Sequence, residues 1–137
     1  MSGQFSFTKI IVRDVDRLYG FYHDVFGLAQ ITRVRQGEGE TELDEIIMGP
    51  AGAGYSVPSL VIQRYPNRPI PVPGEATLGF IVPDIEKTIE RAVAAGATMD
   101  RPIRNAPEHE IHVAFIKDPD GHLIEIVQMH QHPAPQE

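Results

Sequence analysis

The sequence predicts an α+β fold: two tandem β-α-β-β-β modules forming a curved mixed β-sheet cup, with the helices on its convex face. Two observations predict it. The stretch "FTKIIVRDVDRLYGFYHDVFGL" is echoed by "TLGFIVPDIEKTIERAVAAGA", with Val12-Arg13-Asp14 aligning on Val82-Pro83-Asp84. Within each half the apolar residues first alternate, then fall at helical spacing, then alternate again in several short runs. Two helices cover one face of such a sheet and leave the other face free to form a cup.

The elements follow in order. "FSFTKIIV", residues 5–12, alternates and reads as a strand. In "DVDRLYGFYHDVFG", Val15, Leu18, Tyr19, Tyr22, Val25 and Phe26 make one helical stripe. Asp14 or Asp16 can cap its start and Gly27 can end it. A strand near 28–34, a polar turn "RQGEGE", and strands in "ELDEIIM" and "PSLVIQRY" complete a module over residues 5–65. The intervening "GPAGAGYSVP" is glycine-rich, but no Lys-Ser/Thr follows and no helix opens there, which excludes a phosphate loop. "PNRPIPVPGE", residues 66–75, reads as a stiff extended connector. The second module spans 76–128, with an apolar stripe of Ile85, Ile89, Ala92 and Val93, a stop at Gly96, and strands near 97–103, 111–117 and 122–128. The tail, 129–137, reads as disordered, and the whole 1–137 chain as a single domain.

Composition narrows the function classes. With no cysteine, disulfide scaffolds, zinc fingers and thiol catalysis are excluded. No apolar run is long enough to cross a bilayer, and no basic-then-apolar leader opens the chain, so a cytoplasmic location is the expectation. A net charge of −7 argues against nucleic acid, whose phosphates need clustered Lys and Arg.

The pieces "GFYHDVFGL", "GFIVPDI" and above all "AFIKDPDGHLIEI" resemble the vicinal oxygen chelate superfamily, which includes glyoxalase I, bleomycin-resistance proteins and extradiol dioxygenases. The resemblance covers about residues 5–128 and implies the duplicated fold. It leaves function open, since the family hosts isomerases, transferases, oxygenases and binders. It also implies a divalent metal held by four side chains, which on this chain fall on Phe7, Gln63, Thr77 and Glu125. Phe7 has no donor atom, Thr77 and Gln63 are weak neutral donors, and only Glu125 is a good ligand. The expectation is no metal and no other cofactor. Family members complete their cups across two modules, within one chain or between partners, so a homodimer is expected.

The two-residue period puts Leu123, Glu125 and Val127 on one strand face, with a carboxylate between two apolar residues. If that face lines the cup, Phe7, Lys9, Ile11, Val61, Gln63, Tyr65, Thr77, Gly79, Ile81, Ile111, Val113 and Phe115 share it. Such a wall suits a small organic ligand. The candidate catalytic residues are Glu125 as base, with Lys9 or Tyr65 to stabilise developing negative charge. The candidate substrate contacts are Phe7, Gln63, Thr77, His109, Val113, Phe115 and Leu123. Glu125 could equally be a structural carboxylate paired with Lys9 or bonded to Gln63 or Thr77. By parity His109 joins the cup face and His112 faces away; His23 is expected to be exposed and His122 to point away from the cup. Three functions stand: a metal-independent enzyme of lyase or isomerase type, a resistance-type binding protein, and a metal enzyme with rearranged ligands such as Glu125, His109 and Gln63.

Overall fold

The computed structural model describes residues 2–54 and 58–130. Among the described residues, eight strands and two α-helices follow the expected order, and each half is β-α-β-β-β. The strands hydrogen-bond as two four-stranded sheets rather than one continuous eight-stranded sheet. The chain divides into two compact units between Val72 and Pro73, inside the proline-rich connector. That connector is not extended throughout: it opens with a turn in which the Arg68 amide donates to the Tyr65 carbonyl at 3.2 Å.

In the first unit, β1 (Phe7–Ile11), β2 (Ala29–Gln36), β3 (Leu43–Gly49) and β4 (Ser59–Arg64) take the order β1-β4-β3-β2. β1 runs parallel to β4; the other pairs are antiparallel. The helix α1 (Val15–Phe26) starts where Asp14 accepts the Arg17 amide at 3.1 Å and ends at Gly27, whose φ of 72° only glycine adopts without strain. It buries Val15, Leu18, Phe21, Tyr22 and Val25, over a sheet face on which Ile46, Met48 and Ile62 are almost fully excluded from water. Phe21 is a core residue outside the expected stripe, while Tyr19 and Phe26 sit at its margins, half-buried.

The second unit repeats the plan with β5 (Thr77–Ile81), α2 (Ile85–Ala94), β6 (Thr98–Ala106), β7 (Ile111–Lys117) and β8 (Leu123–Met129), in the order β5-β8-β7-β6. Asp84 caps α2 as Asp14 caps α1, by accepting the Lys87 amide. Val93 is 48 % exposed and is not part of the buried stripe. Thr88 is buried there instead, its hydroxyl satisfied by the Asp84 carbonyl at 2.8 Å. Strand β8 reaches Met129, so the tail begins later than expected; residues 131–137 lie outside the described residues.

The turn before β8 is built as its sequence suggests. The Asp118 carboxylate accepts the Asp120 and His122 amides, each at 2.9 Å, and lies 2.8 Å from the His122 ring nitrogen. Gly121 takes a φ of 100°. His122 is therefore a turn staple, buried away from the open sheet face.

One ion cluster ties α1 to its sheet. Arg33 on β2 donates to both oxygens of Asp44 on β3, at 2.9 and 2.8 Å, and to Asp16 at 2.7 Å. Hydrogen bonding to Arg33 holds the Asp44 carboxyl below its ordinary value, and hydrogen bonding to Asp44 and Asp16 raises that of the guanidinium. A depressed carboxylate stabilises the fold above its unfolded pKa of about 3.9, and that contribution fades as pH falls through the folded value. Denaturation midpoints between pH 7 and pH 2 are expected to fall more steeply below pH ~4 in the native protein than in Asp44→Asn. Parallel curves would show that the cluster does not couple to folding.

Candidate functional site

Strand pairing decides which side chains share a row, because partners across a ladder point to the same face. On the face away from α2, three rows cross the second sheet. The first is Thr77, Leu123, Lys117 and Thr98; the second is Gly79, Glu125, Phe115 and Arg101; the third is Ile81, Val127, Val113 and Arg104. On the corresponding face of the first sheet the rows are Lys9, Val61, Ile47 and Thr32, then Ile11, Gln63, Glu45 and Val34. On the helix-covered face of the second sheet, Ile124 and Ile126 are fully buried.

Glu125 is half-buried in the middle of its row. Its neighbour on β5 is Gly79, where an added Cβ would meet nothing within 4 Å. Its neighbour on β7 is the ring of Phe115. Among the described residues the Glu125 carboxylate has no hydrogen bond or ion pair. Beyond Phe115 the sheet floor becomes a hollow of about 490 Å³ lined by Arg101, Pro102, Ile103, Arg104, Val113 and Phe115. The Arg101 guanidinium lies 4.7 Å from the centre of the Phe115 ring.

The first unit places its polar groups differently. Lys9 is engaged within its own unit, its ammonium lying 3.1 Å from Glu45. Gln63 donates to the same Glu45 oxygen at 2.8 Å and is only 3 % exposed. Glu45 itself is 7 % exposed, a buried carboxylate held by an ammonium and an amide, which is how a buried charge is tolerated. Sequence reasoning missed Glu45, although it stands between Leu43 and Ile47 on one strand face, the same pattern that singled out Glu125. Tyr65 falls just beyond the end of β4, and its ring is covered by the Arg68 guanidinium at 4.0 Å.

Phe7 is 56 % exposed at the start of β1, opposite Ser59, and Thr77 is exposed at the start of β5, opposite Leu123. His109 does not share a strand face with Ile111: it ends a one-turn 3-10 segment, Pro107–His109, and is exposed. Parity does not carry through that turn, because Glu110 follows it at a φ of 56°. His112 does face away from Val113, and its ring centre lies 4.6 Å from that of His130. His23 is exposed, bonded through its ring to the Leu28 carbonyl at 2.8 Å.

The registers also refine how the two halves correspond. The Val12 amide donates to the Gln63 carbonyl, and its repeat partner, the Val82 amide, donates to the Val127 carbonyl, both at 2.8 Å. Gln63 is therefore the internal counterpart of Val127, and the counterpart of Glu125 is Val61. With Phe7 and Thr77, either choice leaves Glu125 as the lone carboxylate of the set. A ring without a donor, a hydroxyl and an amide or an isopropyl group do not fit a divalent ion, which needs several His or carboxylate ligands. Among the described residues no three His, Asp or Glu side chains come together in a way that could hold one. No described helix is long and apolar enough to cross a membrane.

Comparison with known proteins adds the lineage. The chain is 28 % identical over 131 residues to a probable lactoylglutathione lyase of Vibrio parahaemolyticus, covering 95 % of this chain and 94 % of the other. It is also 28 % identical to a lactoylglutathione lyase of Pseudomonas aeruginosa, over 90 % of this chain and 81 % of that one. Its fold matches a glyoxalase family protein from Bacillus cereus with a TM-score of 0.76 at 20 % identity, covering 92 % of this chain and 93 % of that one. It matches glyoxalase I from Zea mays with the same TM-score and identity, over 95 % of this chain and 46 % of that one. Residues 4–126 match the Glyoxalase/Bleomycin resistance protein/Dioxygenase superfamily, and the chain belongs to that superfamily.

Proposed function

We propose that the chain acts on a small organic molecule by metal-independent proton transfer next to a carbonyl, in a reaction of isomerase or lyase type, with Glu125 as the base. The observation that carries this reading is the half-buried Glu125 carboxylate, without a partner among the described residues, between the open side of Gly79 and the ring of Phe115. A carboxylate in an apolar wall ordinarily acquires hydrogen bonds, because desolvation without them is costly. One left open is free to meet a group that comes and goes. In the proposed step Glu125 takes the proton from the carbon beside the carbonyl, and the C–H electron pair moves onto the carbonyl oxygen as an enolate. Where that carbon also bears a hydroxyl, moving the hydroxyl proton to the enolate oxygen and returning the abstracted proton to the former carbonyl carbon completes an isomerisation; expelling a leaving group from the next carbon completes an elimination.

The lyase relatives support the reaction type, and the donor chemistry of Phe7, Thr77 and Gln63 supports a route without a metal. Lys9 and Tyr65 are already engaged, by Glu45 and Arg68, so the reading rests on Glu125. The test is solvent deuterium exchange followed by NMR, across small carbonyl compounds and beginning with S-lactoylglutathione. The expected result is deuterium at the carbon beside the carbonyl, at a rate EDTA does not change, from protein whose elemental analysis shows no stoichiometric zinc, nickel, manganese or iron. Tight binding of these compounds with no exchange would replace the enzyme by a binding protein. One firmly held metal per chain, with activity lost to EDTA, would replace it by a metal enzyme, and His109 would be the first ligand to test.

A further inference from the structure

Arg101 and Arg104 are three residues apart, an odd spacing that in a regular strand sends two side chains to opposite faces. Here they share one. Arg101 pairs with Phe115 and Arg104 with Val113, two positions of equal parity on β7, because the register of β6 shifts between them. The extra residue is taken up around Pro102 and Ile103, where Pro102 has no amide to offer the ladder. The irregularity thus brings both guanidiniums to the rim of the hollow floored by Phe115 and Val113.

Among the described residues, neither arginine is strongly neutralised. Arg101 reaches Asp100 only at 3.8 Å and Arg104 reaches Glu108 only at 3.8 Å, with both arginine side chains about two-thirds exposed. In a chain of net charge −7, this is a cationic hollow beside an apolar floor, one strand removed from the Glu125 carboxylate. Guanidinium forks match planar oxyanions bidentately.

We propose that Arg101 and Arg104 form an oxyanion-binding subsite, so that the molecule presented to Glu125 is an organic acid anion. Its acidic group sits over β6 and its reacting carbon over β8, two strand spacings or about 10 Å apart at the backbone. Phe115 supplies the flat apolar surface between them. The substrate class rests on the Glu125 reading, but the subsite itself is testable without any turnover.

The experiment compares binding of 2-naphthoate, 2-naphthyl phosphate and neutral 2-naphthamide to the full chain, by titration of the probes' fluorescence at low salt. At least one anion is expected to bind tenfold or more tightly than the amide, and whichever anion binds better identifies a carboxylate or a phosphate as the natural group. The double variant R101Q/R104Q, with circular dichroism confirming its fold, is expected to erase that preference, while Glu125→Gln keeps or sharpens it. Equal binding of anion and amide, a preference that survives R101Q/R104Q, or no binding of any probe at millimolar concentration would overturn the subsite. Loss of exchange chemistry with the anion preference intact would instead count against Glu125 as base alone.

Discussion

Glu125→Gln is expected to lower turnover by about 10²- to 10⁴-fold, the range that a positioned general base contributes. The change removes one ionisable oxygen and keeps the shape of the side chain. The row Gly79, Glu125, Phe115, Arg101 is set by backbone pairing and should not move. Ligand affinity is therefore expected to stay within about tenfold, so the loss appears in kcat rather than KM. A variant that exchanges deuterium at the native rate would remove Glu125 from the chemistry and leave it a wall residue. A variant that loses binding and exchange together would make it an anchor.

The largest expected effect on stability belongs to Tyr22→Ala. Tyr22 is fully buried on α1, with its ring centre 5.1 Å from that of Phe21 and 6.2 Å from that of Phe26. Removing the ring deletes its contacts and leaves a cavity that the paired strands beneath cannot fill, a change that costs about 3–5 kcal/mol. Tyr22→Phe keeps the ring and isolates the hydroxyl, and it should cost a small part of that. Urea denaturation of both variants measures the difference. A loss below about 1 kcal/mol for Tyr22→Ala would mean that α1 is not anchored through this ring.

Much of the fold was legible because it depends on local signals. Helical spacing, Asp14, Gly27 and Asp84 mark the helices, and the aligned Val12 and Val82 segments mark the duplication. That Leu123, Glu125 and Val127 share one face followed from parity alone. Other features depend on pairing between distant strands. Whether Gln63 or Val61 answers to Glu125 is a question of register, which a motif match over "VIQ" and "LIE" does not see. Parity also assumes an unbroken strand, so it failed at His109, which ends a 3-10 turn, and was silent on Arg101 and Arg104, which an inserted residue brings together. Glu45 is different: its alternation with Leu43 and Ile47 is visible in the sequence, but its pairing with Lys9 and Gln63 is set by the register of distant strands.

The irregular β6 has a consequence for solubility. It is the last strand of its sheet, with one side of its backbone left without a ladder partner in that sheet. A flat, apolar strand in that position is a template for another chain. β6 carries two register shifts, a proline that cannot donate, and arginines at positions 101 and 104, each of which spoils pairing with an incoming strand. The distortion that gathers the two guanidiniums thereby also guards the sheet against aggregation, and smoothing it to regular alternation would weaken both at once.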